Sequence, residues 1–242
     1  MKTLIITGAS KGIGNAIAKE FYKNGYQVFS LSRTKADNLE GINQIACDIS
    51  DLEGLELVMK SILAKIKTTS PSSITLLNNA GSLGSISRIE NIDYQNIIQS
   101  ININYSAPLI LNSLFIKETE SWGIERKIRT ISSGAANGSY DGWSVYCSTK
   151  AAVDRMTSVL GVEQENRPNP VHTIAIYPGV VDTGMQTQIR NSSEEEFSNV
   201  ERFKAMKVNG DLASPKEVAI KILAIENDAA IENGSVVDVR DY

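Results

Sequence analysis

Histidine and cysteine are nearly absent from this sequence. Among 242 residues there is one histidine, His172, and there are two cysteines, Cys47 and Cys147, far apart and without a C-x-x-C spacing. A single imidazole with no thiol or second imidazole beside it cannot assemble a common zinc site. His172 lies in the strand-like run "VHTIAIY" rather than on the exposed loop that a Ser-His-Asp hydrolase requires. It is therefore expected to be a partly buried strand residue with a satisfied ring. Two distant cysteines make no disulfide framework, and a reducing cytoplasm is the expected setting. No apolar stretch approaches the ~18 residues of a membrane span. The first apolar run, "LIIT" from Leu4, reads as a structural strand rather than a leader. The net charge of −4 is mild, and no run of Lys and Arg tracks nucleic acid. With metal, membrane and nucleic acid set aside, the expected partner is a small molecule.

What is present is a regular alternation of strand and helix patterns. "TLIIT" (3–7) is followed by "GASKGIG" and then a helix with Ile13, Ile17 and Phe21 at helical spacing, stopped by Gly25. "YQVFSLS" (26–32) and "INQIACD" (42–48) are the next strands. A helix over about 51–67 is expected to open on a capping box between Ser50 and Glu53. "ITLLNNAG" (74–81), "KIRTISS" (127–133), "VHTIAIYPG" (171–179) and "GSVVDV" (234–239) complete the strands, with helical patterns at 93–120 and 146–166 between them. Ser214 and Pro215 open a last helix as N-cap and first residue. This pattern predicts an α/β fold, one doubly wound parallel sheet of Rossmann type in a single domain, covered on both faces.

Ligands of such sheets bind at the carboxyl ends of the strands. The segments expected there are "GASKGIG", "SRTKAD", "DISD", "NNAG", "SSGAAN" and "PGVVDTG", all small and polar. In the first, Gly8 permits a tight turn, Gly12 lets backbone amides approach a pyrophosphate, and Gly14 lets the helix pack on the sheet. An acid ending the second strand would favour a free ribose 2′-hydroxyl. Here that strand ends with Arg33, and Lys11 lies in the glycine turn, so two cations point to NADP(H).

Together, "TGASKGIG", "NNAG", Asn104 in "INYSAP", Ser133 in "ISSG", Tyr146 and Lys150 in "YCSTK", and "PGVVDT" resemble the short-chain dehydrogenase/reductases over essentially the whole chain. The resemblance implies a catalytic set of Asn104, Ser133, Tyr146 and Lys150. It implies cofactor contacts from Gly8, Ser10, Lys11, Gly12, Ile13 and Gly14, and from Asp48 and Ile49 at the adenine end. Asn79, Ala80 and Gly81 fall in the ribose region, and Pro178, Gly179, Val181 and Thr183 near the nicotinamide; Tyr146 and Lys150 complete the contacts. The chemistry follows the same lines. Carbonyl reduction needs a hydride at carbon, which NADPH supplies, and a proton at oxygen. A free tyrosine with pKa ~10 is a reluctant donor, and a lysine one turn along stabilises its phenolate. Ser133 is expected to bind the substrate oxygen, and Asn104 a water leading to Lys150.

Within the family, "NNAGSLG", "GWSVYCSTKAA", "PGVVDTGMQTQIR" and "NGSVVDVRDY" are similar to the sepiapterin reductases and their bacterial benzil reductase relatives. The resemblance puts Asp238 where a carboxylate anchors a pterin, although it reads equally as a strand-end acid. Trp143, three residues before Tyr146, is expected either to stack on an aromatic ketone or to pack under a lid. Residues 182–212 read as that lid, with Met185, Ile189 and Phe197 as apolar contacts. The expected activity is NADPH-dependent reduction of a vicinal diketone or similar small ketone. The alternatives are a 3-ketoacyl thioester reductase and a non-catalytic NADP-binding sensor. Relatives pair through the helices around 105–120 and 146–166, which implies a homodimer or homotetramer.

Overall fold

A computed structural model describes all residues, 1–242. The chain runs β1 (Lys2–Thr7), α1 (Gly12–Lys23), β2 (Gln27–Ser32), β3 (Asn43–Ala46), α2 (Leu55–Lys67) and β4 (Ser73–Asn78). It continues through α3 (Tyr94–Ile101), α4 (Ala107–Thr119), β5 (Glu125–Ile131), α5 (Ser144–Gln164) and β6 (Val171–Tyr177). Three helices, α6 (Gly184–Arg190), α7 (Val200–Asn209) and α8 (Pro215–Asn227), precede the last strand, β7 (Val236–Asp238). All seven strands are parallel, in the order β3-β2-β1-β4-β5-β6-β7. The connection reverses direction between β1 and β4, which is where such sheets open a crevice for ligands. No helix is long and apolar enough to cross a membrane.

The strands read as near-continuous apolar runs because both faces are covered. On one face Leu4, Ile6, Leu77, Ile174 and Ile176 pack beneath α1 and α8. On the other Ile5, Leu76 and Ile128 meet Met59 and Ile62 of α2 and Leu111 and Phe115 of α4. A third, smaller core lies beyond the strand ends. There Phe197, Val200 and Phe203 close over Trp143 and Tyr146.

The first face also buries charge. Arg129 on β5 and Glu226 on α8 pair at 2.7 Å, with their side chains 2% and 4% exposed. Thr75 donates to the other carboxylate oxygen at 2.7 Å. Arg129 also reaches the His172 ring and carbonyl at 3.1 and 3.0 Å. Because Arg129 donates to Nδ1, Nε2 carries the proton and donates to the Ile231 carbonyl at 2.9 Å. His172 is thus a half-buried strand residue with both ring nitrogens satisfied, and burial holds its pKa below the ordinary value.

Helix boundaries follow local chemistry, with one correction. Ser214 and Glu217 form a reciprocal capping box at α8, with Pro215 first in the helix. The box expected between Ser50 and Glu53 does not form. The Asp48 carboxylate captures the Ser50 amide and hydroxyl at 3.0 and 2.8 Å, so a turn intervenes and α2 starts only at Leu55. The helix expected over 146–166 begins two residues earlier, at Ser144, which leaves Tyr146 within its first turn. Residues 182–212 form α6 and α7 with an irregular link, joined to the body by a bridge between Val181 and Ala213.

Candidate active site

At the crevice the loops after β1 and β4 are locked together. The Thr7 hydroxyl accepts from the Asn79 and Ala80 amides at 3.1 and 3.0 Å, and Asn79 Nδ2 donates to the Thr7 and Gly8 carbonyls at 2.9 and 3.1 Å. Gly8 has φ +72°, and a Cβ there would lie 2.8 Å from the Ala80 backbone. At Gly14 a Cβ would overlap Asn79 Nδ2 and the Gly8 carbonyl, so the helix could not pack this closely on any other residue. Gly12, also in the left-handed region, faces Thr183 across the crevice.

Helix α1 has no side-chain cap and no acid in its first turn. Its leading amides and dipole therefore favour an anion such as a pyrophosphate. Lys11 and Arg33 are exposed at the mouth of this cradle. Asp48 ends below its usual carboxylate range, chiefly through the Ser50 amide, with the Arg33 charge contributing. Ile49 is buried beside it. The glycine cradle and the uncapped helix fit the pyrophosphate of a dinucleotide cofactor.

The four candidate catalytic side chains come from different elements. Asn104 sits in a π-helical turn, Asn102–Ser106, wedged between α3 and α4. This wider turn is common at functional sites, and here it aims a 2%-exposed amide inward. Asn104 Oδ1 accepts from the Ser82 amide, and Nδ2 donates to the Ser82 carbonyl, both at 2.8 Å; Nδ2 also reaches Thr149 at 3.1 Å. A Cβ on Gly81 would lie 3.6 Å from both Asn104 Oδ1 and Lys150 Nζ, so these two groups converge at the "NNAG" turn. Lys150 Nζ donates to the Ile131 carbonyl at 2.8 Å and stands 5.8 Å from the centre of the Tyr146 ring. Burial lowers the Lys150 pKa to about 8, opposed by the charge of Asp154. Burial also raises the Tyr146 pKa, against a hydrogen bond with Ser133 that favours the phenolate. The phenol thus stays protonated at neutral pH, the state a proton donor needs. Ser133 accepts from the Ala135 amide at 3.1 Å as it caps a short turn.

Sequence reasoning missed Ser82 and Thr149, which carry no signal of their own beyond ordinary loop and helix serine and threonine. It also missed the link from Tyr177 to Asp154. Trp143 is 6% exposed and stacks on Phe197 at 4.6 Å with planes 8° apart, meeting Tyr146 edge-on at 5.7 Å. Its ring packs under the 182–212 segment. Ile189 and Phe197 are buried with it, and Met185 packs half-buried at the edge. Pro178 and Gly179 follow β6 directly, with Gly179 at φ +72°. Asp238, level with Tyr177 on the neighbouring strand, gives both oxygens to Arg240, at 2.9 and 2.5 Å. A cavity of about 420 Å³ opens elsewhere, on the outer face of α4 and α5, and includes none of these residues.

Residues 2–194 match the family model described as short chain dehydrogenase. Benzil reductase ((S)-benzoin forming) of Bacillus subtilis (strain 168) is 39% identical, with both chains covered completely. Sepiapterin reductase of Xenopus laevis is 26% identical over 98% of this chain and 95% of its own. Among solved structures, a putative NAD(P)-dependent gluconate 5-dehydrogenase from Beutenbergia cavernae, with bound NADP, superposes with a TM-score of 0.82 at 26% identity, covering 98% of this chain and 94% of that one. With the family match, the full-length likeness and the sheet order in agreement, the chain belongs to the short-chain dehydrogenase/reductase family, in the branch of the benzil and sepiapterin reductases, and is an oxidoreductase.

Proposed function

We propose that this protein is an NADPH-dependent reductase of a small vicinal diketone or similar ketone, with Tyr146 as proton donor. The observation that carries the reading is the convergence of Asn104, Ser133, Tyr146 and Lys150 beside the glycine cradle, in a chain alike from end to end to a benzil reductase. In this reading the first-turn amides of α1, with Gly8, Ser10, Gly12, Ile13 and Gly14, hold the pyrophosphate. Lys11 and Arg33 take the 2′-phosphate, Asp48 and Ile49 border the adenine, and Asn79, Ala80 and Gly81 border the ribose. Lys150 grips the nicotinamide ribose, while Pro178, Gly179, Val181 and Thr183 flank the ring. NADPH bound there supplies the hydride.

The protein's own groups do the rest. Ser133 donates to the substrate oxygen and orients the carbonyl. Tyr146 releases its proton to that oxygen, and the nearby ammonium of Lys150 stabilises the phenolate left behind. Asn104, fixed at both ends by Ser82, holds the protein side of a proton path to Lys150. Helices α6 and α7 act as a lid that excludes water, with Trp143 as its floor. Asp238 lies at the edge of the site as an anchor for a polar substrate rim, provided Arg240 yields it.

The exposed apolar residues Leu109, Val159 and Val162 on α4 and α5 support pairing into a homodimer or homotetramer, and two unpaired thiols suit a cytoplasmic setting. The test follows NADPH absorbance with benzil, sepiapterin and a β-ketoacyl thioester. Reduction of benzil or sepiapterin, abolished in Tyr146→Phe while NADPH still binds, is the expected outcome. Preference for the thioester, or no oxidation with any carbonyl, refutes the reading, and a near-wild-type Tyr146→Phe removes the tyrosine from its role.

A further inference from the structure

Helix α5 carries a carboxylate that the reaction scheme above leaves unused. Tyr146, Lys150 and Asp154 follow one another at four-residue intervals and so share one face of the helix. Asp154 Oδ2 accepts from the Tyr177 hydroxyl at 2.5 Å, while Oδ1 is buried without a partner. None of the chain's ion pairs includes Asp154. A buried carboxylate oxygen left unpaired is costly and calls for a compensating role.

Tyr177 gives the carboxylate its reach. It is the last residue of β6, next to Pro178 and Gly179, and its hydroxyl also accepts from Asn137 Nδ2 at 3.0 Å. Asn137 closes the short turn Gly134–Ala136, whose leading cap is Ser133. Two hydrogen bonds therefore connect α5, through the end of β6, to the turn that carries Ser133. The charged or titratable groups facing this cluster are Tyr146 and Lys150 on α5 itself, Tyr177 from β6 and Asp238 from β7. Ser133 and Asn137 face it from the turn and are neutral.

We propose that Asp154 is a positioning residue for carbonyl reduction, clamping the Ser133 turn through Tyr177 and Asn137 while facing Lys150 one turn along the same side of the helix. This rests on the reading of Tyr146 and Lys150 as the reductive pair. Burial alone draws the lysine toward neutrality, and the Asp154 charge is what opposes it. An aspartate here serves both ends: its charge acts on the ammonium, and its geometry acts on the serine turn.

Two conservative variants separate the roles. Asp154→Asn keeps an acceptor for Tyr177 and removes the charge, whereas Tyr177→Phe keeps the charge and removes the clamp. NADPH affinity, titrated by fluorescence between pH 7 and 9.5, reads the charge on Lys150 without turnover; kcat and KM for benzil over the same range read the reaction. In Asp154→Asn, the pH at which affinity falls should move down by about one unit, and the alkaline limb of kcat should move with it. In Tyr177→Phe both pH positions should stay, while kcat/KM for the ketone drops severalfold with NADPH affinity kept. Superimposable profiles for Asp154→Asn and wild type overturn the charge role, and wild-type kcat and KM in Tyr177→Phe overturn the clamp. Asp154→Ser reads the same pH shift should the asparagine variant not accumulate folded. A shift in NADPH affinity without turnover of any carbonyl sinks the proposed reaction and leaves the action of Asp154 on Lys150 standing.

Discussion

Replacing Lys150 by methionine exchanges a charged side chain, 5% exposed in the fold, for an apolar one of similar length. Holding the lysine in this surrounding lowers its pKa from 10.5 to about 8. At ~1.4 kcal/mol per pH unit, that displacement costs the folded chain about 3 kcal/mol at neutral pH. The exchange also strips the Ile131 carbonyl of its 2.8 Å donor, a loss of about 1–2 kcal/mol for a buried acceptor. The difference leaves Lys150→Met more stable by about 1–2 kcal/mol, or ~2–8 °C in Tm for a chain of this size, although it should reduce no ketone. The sign with pH is fixed by the same displacement. The folded state binds the lysine proton more weakly than the unfolded chain does, so the penalty is complete below about pH 8 and fades as pH rises toward 10.5. Thermal unfolding followed by circular dichroism at pH 7 and pH 10 should therefore show the variant ahead at pH 7 and the gap narrowed at pH 10. A variant that melts below wild type at pH 7, or a gap that does not change with pH, would refute the assignment of Lys150 as a destabilising residue retained for function.

The other predictions are simpler to read. Arg33→Ala should weaken NADPH binding at least tenfold and leave NADH binding nearly unchanged, measured by fluorescence titration of both; undiminished NADPH preference removes Arg33 from the phosphate site. Phe197→Ala empties the ring stacked on Trp143 and should cost about 3–5 kcal/mol in urea unfolding, with KM for the ketone raised more than NADPH affinity is reduced. His172 has a depressed pKa, so wild type should lose stability as pH falls below ~6.5, the unfolded value. In His172→Asn that part of the slope should disappear; parallel curves for the two proteins contradict the neutral ring.

Much of the architecture is legible because it rests on short-range chemistry. Ser214 and Pro215 announce α8 through capping and a fixed φ, and Gly25, at φ +82°, ends α1 where the pattern stops. Glycine and small polar residues at strand ends mark the crevice for the same reason: they are what permits close approach. The failures come where a local rule meets a stronger competitor. Ser50 has the right spacing to Glu53 for a cap, yet Asp48 lies two residues away and takes both of its donors. The helical pattern over 93–120 gives no sign of the π turn that carries Asn104, because its extra residue leaves no compositional trace. Trp143 illustrates a different limit. Its proximity to Tyr146 follows from helix spacing, but its stacking on Phe197, 54 positions further on, is long-range packing and leaves no mark in periodicity.

The Arg129–Glu226 pair has a consequence for how the molecule is made. The sheet face that holds Arg129 is covered by α1 and α8, helices from the two ends of the chain. Without α8 the Arg129 guanidinium would lie on an apolar face with no carboxylate to meet it. Docking of α8 supplies apolar cover, counter-charge and the acceptor for Thr75 in one event. The final helix thus closes the sheet: a chain lacking it would leave apolar surface and an unpaired guanidinium open to water together.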